Sequence, residues 1–89
     1  RRLVEEGVVV ERDGAYFAPD ALDEAARAVA RLLQRSPGGI TVAQVRDELG
    51  TTRKHVLPLL AHLDATGVTR RRGDVRVGGP RLPELRQPY

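Results

Sequence analysis

The chain has 89 residues, enough for one small domain, and only 3% of them are aromatic, so we expect a largely aliphatic core. It contains no cysteine, which excludes disulfides, thiol catalysis and cysteine-ligated metal. No apolar stretch approaches the roughly 20 residues needed to span a bilayer, and no signal-peptide pattern is present. We therefore expect no membrane association. Because the chain begins at Arg1 rather than at a methionine, we expect a fragment of a longer protein.

The net charge of +3 is unevenly distributed along the chain. Residues 1–49 hold seven arginines against nine acidic residues, a net of −2. Residues 50–79 hold six basic residues against Asp64 and Asp74, a net of +4. Such a concentration of positive charge is typical of a protein that binds a polyanion.

The first eighteen residues predict the end of one structural unit. A helix end is followed by Gly7, and residues 8–11 and 15–18 are β-prone runs on either side of Arg12-Asp13-Gly14. An Asp-Gly pair between such runs favours a β-hairpin. Leu3, Gly7 and Val8 match residues 63, 67 and 68 at a constant offset, which suggests that residues 1–19 are the tail of a repeated unit.

Three helices follow. The first begins at Ala21, and Ser36 to Gly39 stop it. The second has a capping box, with Thr41 as the cap and Gln44 three residues later, and it ends at Gly50. The third is capped by Thr51 or Thr52 and runs to Thr66. The apolar stripe of the first helix consists of Leu22, Ala25, Ala26, Val29, Leu32 and Leu33.

A second hairpin closes the unit, with Val68 to Arg71 and Val75 to Val77 on either side of Arg72-Gly73-Asp74. The predicted order is a helix, a short strand at Ile40, two more helices and a hairpin. This is the order of a winged helix. We therefore predict a mostly α fold with small β-hairpins (α+β). Residues 1–19 are the tail of a preceding winged helix, 20–78 a complete winged helix, and 79–89 a flexible tail.

The start of the third helix is a candidate anion-binding surface. Arg53 and Lys54 follow the cap, and the free N–H groups of the first turn add partial positive charge. The alternative is a merely solvated helix face. Pro58 lies about two turns in, where it removes a backbone donor; either it bends the basic turn toward a ligand or a solvent-facing proline is tolerated there.

The closing hairpin carries four arginines that can contact phosphates from more than one direction: Arg70, Arg71, Arg72 and Arg76. The alternative is a solvated hairpin, or a self-paired one in which Asp74 neutralises Arg72 or Arg76. Arg72-Gly73-Asp74 also spells a cell-adhesion tripeptide, but Gly-Asp is ordinary turn chemistry, and nothing else in the sequence indicates an extracellular protein.

No catalytic constellation is visible in the sequence. His55 and His62 have no serine or carboxylate at a suitable spacing, and we expect them at the surface or at a boundary. We expect Tyr16 and Phe17 to pack against the first helix rather than to stack on bases. No phosphate-binding glycine loop with a following lysine is present, so we predict that this fragment is not an enzyme and holds no cofactor or metal.

The run GTTRKHVLPLL at residues 50–60 resembles the C-terminal winged-helix domain of bacterial selenocysteine-specific elongation factors (SelB). The resemblance continues through Leu63-Asp64, residues 67–71 and residues 73–77. The segment ITVAQVRD at residues 40–47 is similar to the second helix of that family. With the hairpin at residues 8–17, the likeness covers residues 1–77.

The full-length factor of this family is a GTPase that carries selenocysteyl-tRNA to the ribosome, with GTP and Mg²⁺ in its other domains. Its last winged helix grips an mRNA hairpin that recodes UGA. The resemblance implies a cytoplasmic, monomeric RNA-binding module. Thr52, Arg53 and Lys54 would meet the RNA at the helix start, and the four wing arginines would contact its backbone.

Two other function classes remain open from the residues alone. A DNA-binding winged-helix regulator would insert the third helix into a major groove. A winged helix used only for protein contact is hard to reconcile with six basic residues between residues 50 and 79. We favour RNA, with phosphate contacts and an exposed loop base, because the deep groove of A-form RNA does not admit a helix.

Overall fold

The computed structural model describes residues 10–12 and 14–85. It confirms the α+β class and the winged-helix order. The predicted helix end before Gly7 and the first copy of the repeat lie outside the described residues. The elements are a first hairpin (β1, Val10–Arg12; β2, Ala15–Phe17), three helices (α1, Pro19–Arg35; α2, Val42–Leu49; α3, Arg53–Ala65) and a second hairpin, the wing (β3, Thr69–Arg72; β4, Val75–Gly78).

Helix α1 begins two residues earlier than predicted, at Pro19. Proline suits the first helical position because its missing N–H would have no intrahelical partner there. The helix ends where the Ser36 N–H bonds to the Leu32 carbonyl at 2.9 Å. The apolar stripe of α1 faces the domain core, and its central residue Val29 is completely buried.

The other two helices begin at side-chain caps, as the sequence predicts. The Thr41 hydroxyl accepts from the Gln44 N–H at 3.1 Å, and the Gln44 side chain accepts from the Thr41 N–H at 2.8 Å. Thr52, rather than Thr51, caps α3, because its hydroxyl accepts from the His55 N–H at 3.4 Å. Helix α3 then continues without a break through Pro58, and the bend considered there stays a prediction.

One aliphatic core holds the three helices together. Ile40, Val56 and Leu60 are completely buried, and Val45 and Leu63 are nearly so. Burying such a side chain contributes about 1.5–3 kcal/mol. The core therefore fixes α2 and α3 relative to α1, and the outer face of α3 is left for other contacts.

The wing is an antiparallel pair in which Thr69 is opposite Gly78 and Arg71 is opposite Arg76. The turn is shorter than predicted: Arg72 belongs to β3, and Gly73, at φ 61°, begins a two-residue connection. Ile40 forms an isolated β-bridge to the wing, exchanging backbone hydrogen bonds with Arg76 at 2.9 and 2.8 Å. The wing is thereby attached to the link between α1 and α2.

Residues 79–82, the first part of the predicted C-terminal tail, pack against the domain. The Gly79 N–H donates to the Val68 carbonyl at 3.0 Å, and the Arg81 N–H donates to the Gly67 carbonyl at 2.8 Å. Leu82 packs against the main core. The division at residue 78 stays a prediction, but these residues are held by backbone hydrogen bonds.

Candidate nucleic-acid interface

The first turn of α3 presents cationic side chains and unpaired amides together. Arg53 and Lys54 are exposed, as is their cap Thr52. The Thr52 hydroxyl is used by the His55 N–H, whereas the backbone N–H groups of Arg53 and Lys54 have no acceptor among the described residues. Unpaired N–H groups at a helix start carry partial positive charge, so this turn can hold an anion such as a phosphate.

Three of the four arginines predicted as wing contacts belong to strand β3. Arg70, Arg71 and Arg72 are exposed, and the Arg71 Nε donates to the Gly73 carbonyl at 3.2 Å. Strand alternation sends Arg71 to the face opposite from Arg70 and Arg72. The strand therefore offers guanidinium groups on both of its faces.

Arg76 differs from the other three, and its placement departs from the predicted role in RNA binding. Its side chain is only 11% exposed, and its Nη2 and Nε donate to Asp64 Oδ2 at 2.9 and 3.3 Å. The Thr69 hydroxyl donates to the other oxygen of Asp64 at 2.5 Å. Because this side chain is nearly buried and Asp64 balances its charge, Arg76 is poorly placed to contact a phosphate. The self-pairing considered from the sequence would join Arg72 or Arg76 to Asp74. In the structure, Arg76 pairs with Asp64 instead.

Carboxylates pair with the arginines of α1 and α2 but not with most of the predicted RNA contacts. Arginines of α1 and α2 lie 3.2–3.6 Å from carboxylate oxygens, in the pairs Arg27–Glu24, Arg31–Glu24, Arg35–Glu48 and Arg46–Asp47. Within the described ranges, no carboxylate lies within 4.0 Å of the remaining predicted cations: Arg53, Lys54, Arg70, Arg71 and Arg72. Within the described part of the chain, the cations at the start of α3 and along β3 therefore have no carboxylate beside them.

A cleft beside the start of α3 was not predicted from the sequence. It has a volume of about 550 Å³ and lies between the tip of the first hairpin and the outer face of α3, including Lys54 and Pro58. Tyr16 lines it and is 66% exposed. The prediction that both aromatic residues pack on α1 is correct for Phe17 and wrong for Tyr16. Strand alternation was the available signal, because neighbouring strand residues face opposite sides.

His62 lies at the boundary between the first hairpin and α3, as predicted for a histidine without catalytic partners. Its Nδ1 is buried and has no hydrogen-bond partner among the residues that the structure describes. Burial lowers the pKa of His62, and the nearby Arg12 guanidinium lowers that pKa further. The described residues contain no cluster of three or more potential metal ligands, and none of their helices is long and apolar enough to cross a membrane.

Comparison with known proteins agrees with the architecture. The family model for the winged helix of elongation factor SelB matches residues 31–77, more than half of the chain. A solved structure, the mRNA-binding domain of elongation factor SelB from E. coli in complex with SECIS RNA, is similar with 30% sequence identity and a TM-score of 0.71. The match covers 89% of this chain and 65% of that one. No curated protein matches the sequence. The chain belongs to the family of SelB winged-helix domains.

Proposed function

We propose that this chain is an RNA-binding module that grips the mRNA hairpin through which a selenocysteine-specific elongation factor recodes UGA. The observation that carries the proposal is the set of five exposed cations, at the start of α3 and along β3, that pair with no carboxylate in the described part of the chain. The similar SelB domain of E. coli, in complex with SECIS RNA, supports an RNA ligand.

The geometry suits phosphate contacts on two separate elements. Lys54 and Arg53 offer charge together with two backbone N–H groups that find no acceptor in the described ranges, whereas β3 offers three guanidinium groups with bidentate donors. Each neutralised phosphate releases counterions, so affinity should fall steeply as salt rises. Since A-form RNA has a deep, narrow major groove, α3 is expected to meet a loop or a distorted stem rather than to enter a regular duplex.

The remaining partners belong to the longer factor that this proposal implies. Selenocysteyl-tRNA, the ribosome, GTP and Mg²⁺ would bind its other domains. The module itself would act as a monomer in the cytoplasm and would supply binding rather than catalysis. Arg76 is removed from the proposed RNA contacts because its guanidinium is bound to Asp64.

The test is a double substitution, Arg53→Ala with Lys54→Ala, measured against an RNA hairpin over a series of salt concentrations. Losing two charge-assisted contacts should weaken binding by about 2–4 kcal/mol and make the slope of log K against log[salt] shallower by roughly 1.4–1.8. The unfolding temperature should stay nearly the same, because both side chains are exposed.

The matched control is Arg27→Ala with Arg31→Ala, which removes the same charge from the paired surface of α1. If the Arg53/Lys54 double variant still binds the RNA hairpin, or if the control variant loses as much affinity, the start of α3 is not the RNA contact proposed here. Competition against duplex DNA at the same salt completes the test. Equal affinity for both nucleic acids would leave only a generic basic surface.

A further inference from the structure

Tyr16 is exposed in a way that the packing of its own hairpin does not require. Strand β2 directs Phe17 inward, against Leu22 and Leu59, so Tyr16 faces the other side. Its ring is 66% exposed. In the antiparallel register Tyr16 lies opposite Glu11, whose carboxylate accepts the Gly14 N–H at 2.7 Å and so holds the tip of the hairpin.

The ring forms one wall of the cleft, and α3 forms the other. Leu57 and Pro58 line the helical side, with Lys54 and His55 toward the start of the helix. Tyr16 and Leu57 are the two exposed large hydrophobic residues in the described part of the chain, and they line the same cleft. Its volume of about 550 Å³ lies within the range of roughly 300–1,000 Å³ found for small-ligand sites.

The charge around the cleft suits a nucleotide. Among the residues that the structure describes, those lining the cleft include no acid, and Lys54 contributes an ammonium group and a backbone N–H for which those residues offer no acceptor. An aromatic ring beside a cation can bind an unstacked nucleotide, because the base stacks on the ring while the cation neutralises the phosphate. A regular duplex has no unstacked base to offer, so the cleft selects against it.

We infer that the cleft binds one unpaired nucleobase of an RNA loop, stacked on Tyr16, with the adjoining phosphate held by Lys54. This inference rests on the proposed RNA-binding function and adds to it a site on the first hairpin. Recognition is therefore shared between the first hairpin and the start of α3. Neither element builds the site alone.

The experiment compares Tyr16→Ala with Tyr16→Phe, using an RNA hairpin with an unpaired loop and an RNA duplex of the same stem. Tyr16→Ala should weaken hairpin binding about 5- to 140-fold and leave duplex binding unchanged. Tyr16→Phe keeps the ring and should keep most of the affinity. The salt slope should be the same in all three proteins, because stacking neutralises no phosphate.

A second readout follows the base itself. With 2-aminopurine placed in the loop, wild-type protein should change the fluorescence, and Tyr16→Ala at saturating concentration should not reproduce the change. If Tyr16→Ala binds the RNA hairpin as tightly as the wild-type protein does, the inference is wrong and the proposed function stands. Failure of the wild-type protein to bind the hairpin at all would overturn both.

Discussion

Asp64 holds the wing against α3, and its removal should cost more stability than the loss of any exposed charge. Asp64→Ala deletes two hydrogen bonds from Arg76, at 2.9 and 3.3 Å, and one from Thr69 at 2.5 Å. It also leaves the Arg76 guanidinium, 11% exposed, without a counter-charge. Breaking a fully buried pair costs about 3–5 kcal/mol. The Asp64 side chain is still 25% exposed, so water screens part of this interaction. We therefore expect the free energy of unfolding to fall by about 2–3 kcal/mol.

Urea unfolding measures this loss directly, and the chain offers a matched control. Asp47→Ala removes the same side chain from a pair with Arg46, in which the carboxylate is 73% exposed. An exposed pair of this kind is worth about 0–1 kcal/mol. If Asp64→Ala costs no more than Asp47→Ala, then the Asp64–Arg76 pair does not stabilise the wing. Arg76 would then again be a candidate RNA contact.

Two further predictions concern the edges of the domain. Because the pKa of His62 is lowered from 6.5 in the folded state, the unfolded chain binds more protons, and stability should fall as the pH drops from about 7.5 to about 5.5. His62→Gln should lose less stability over that interval in urea unfolding, and an equal loss in both proteins would contradict the assignment. Gly79→Ala should cost about 1–3 kcal/mol, since a Cβ there would overlap the Gly67 carbonyl, whereas at Gly38 a Cβ meets nothing within 4 Å. Equal unfolding temperatures for Gly79→Ala and Gly38→Ala would show that residue 79 is not packed as described.

Local signals explain why the helices could be predicted from the sequence. The Thr41–Gln44 capping box and the cap at Thr52 depend on residues three apart, and both appear in the structure. The start of α1 was misplaced by two residues because Pro19 was assigned to the end of the preceding hairpin, although proline also favours the first helical position. Such features are set by neighbours in the chain, so a single sequence contains them.

Tertiary pairing explains what the sequence could not provide. Arg76 and Asp64 are twelve residues apart and belong to different elements, so nothing local distinguishes Arg76 from Arg70, Arg71 or Arg72. The Tyr16 cleft needs the first hairpin to lie beside α3, which the hydrophobic pattern of either element does not specify. The capped starts of α2 and α3 were predictable, whereas the partners of the charged and aromatic side chains depended on the packed fold.

The pairing of charges also explains how a chain with a modest net charge can bind a polyanion. Residues 50–79 carry six basic residues and two acidic ones, and Asp64 is bound to the buried Arg76. Five basic residues and one acidic residue, Asp74, then remain in this segment, and the five cations occupy the start of α3 and the wing that follows its other end. A 13-residue helix is about 20 Å long, so the two groups of cations suit a ligand that extends along α3. An RNA strand that leaves a stem and enters a loop meets this requirement, because its phosphates continue where its bases become free to stack.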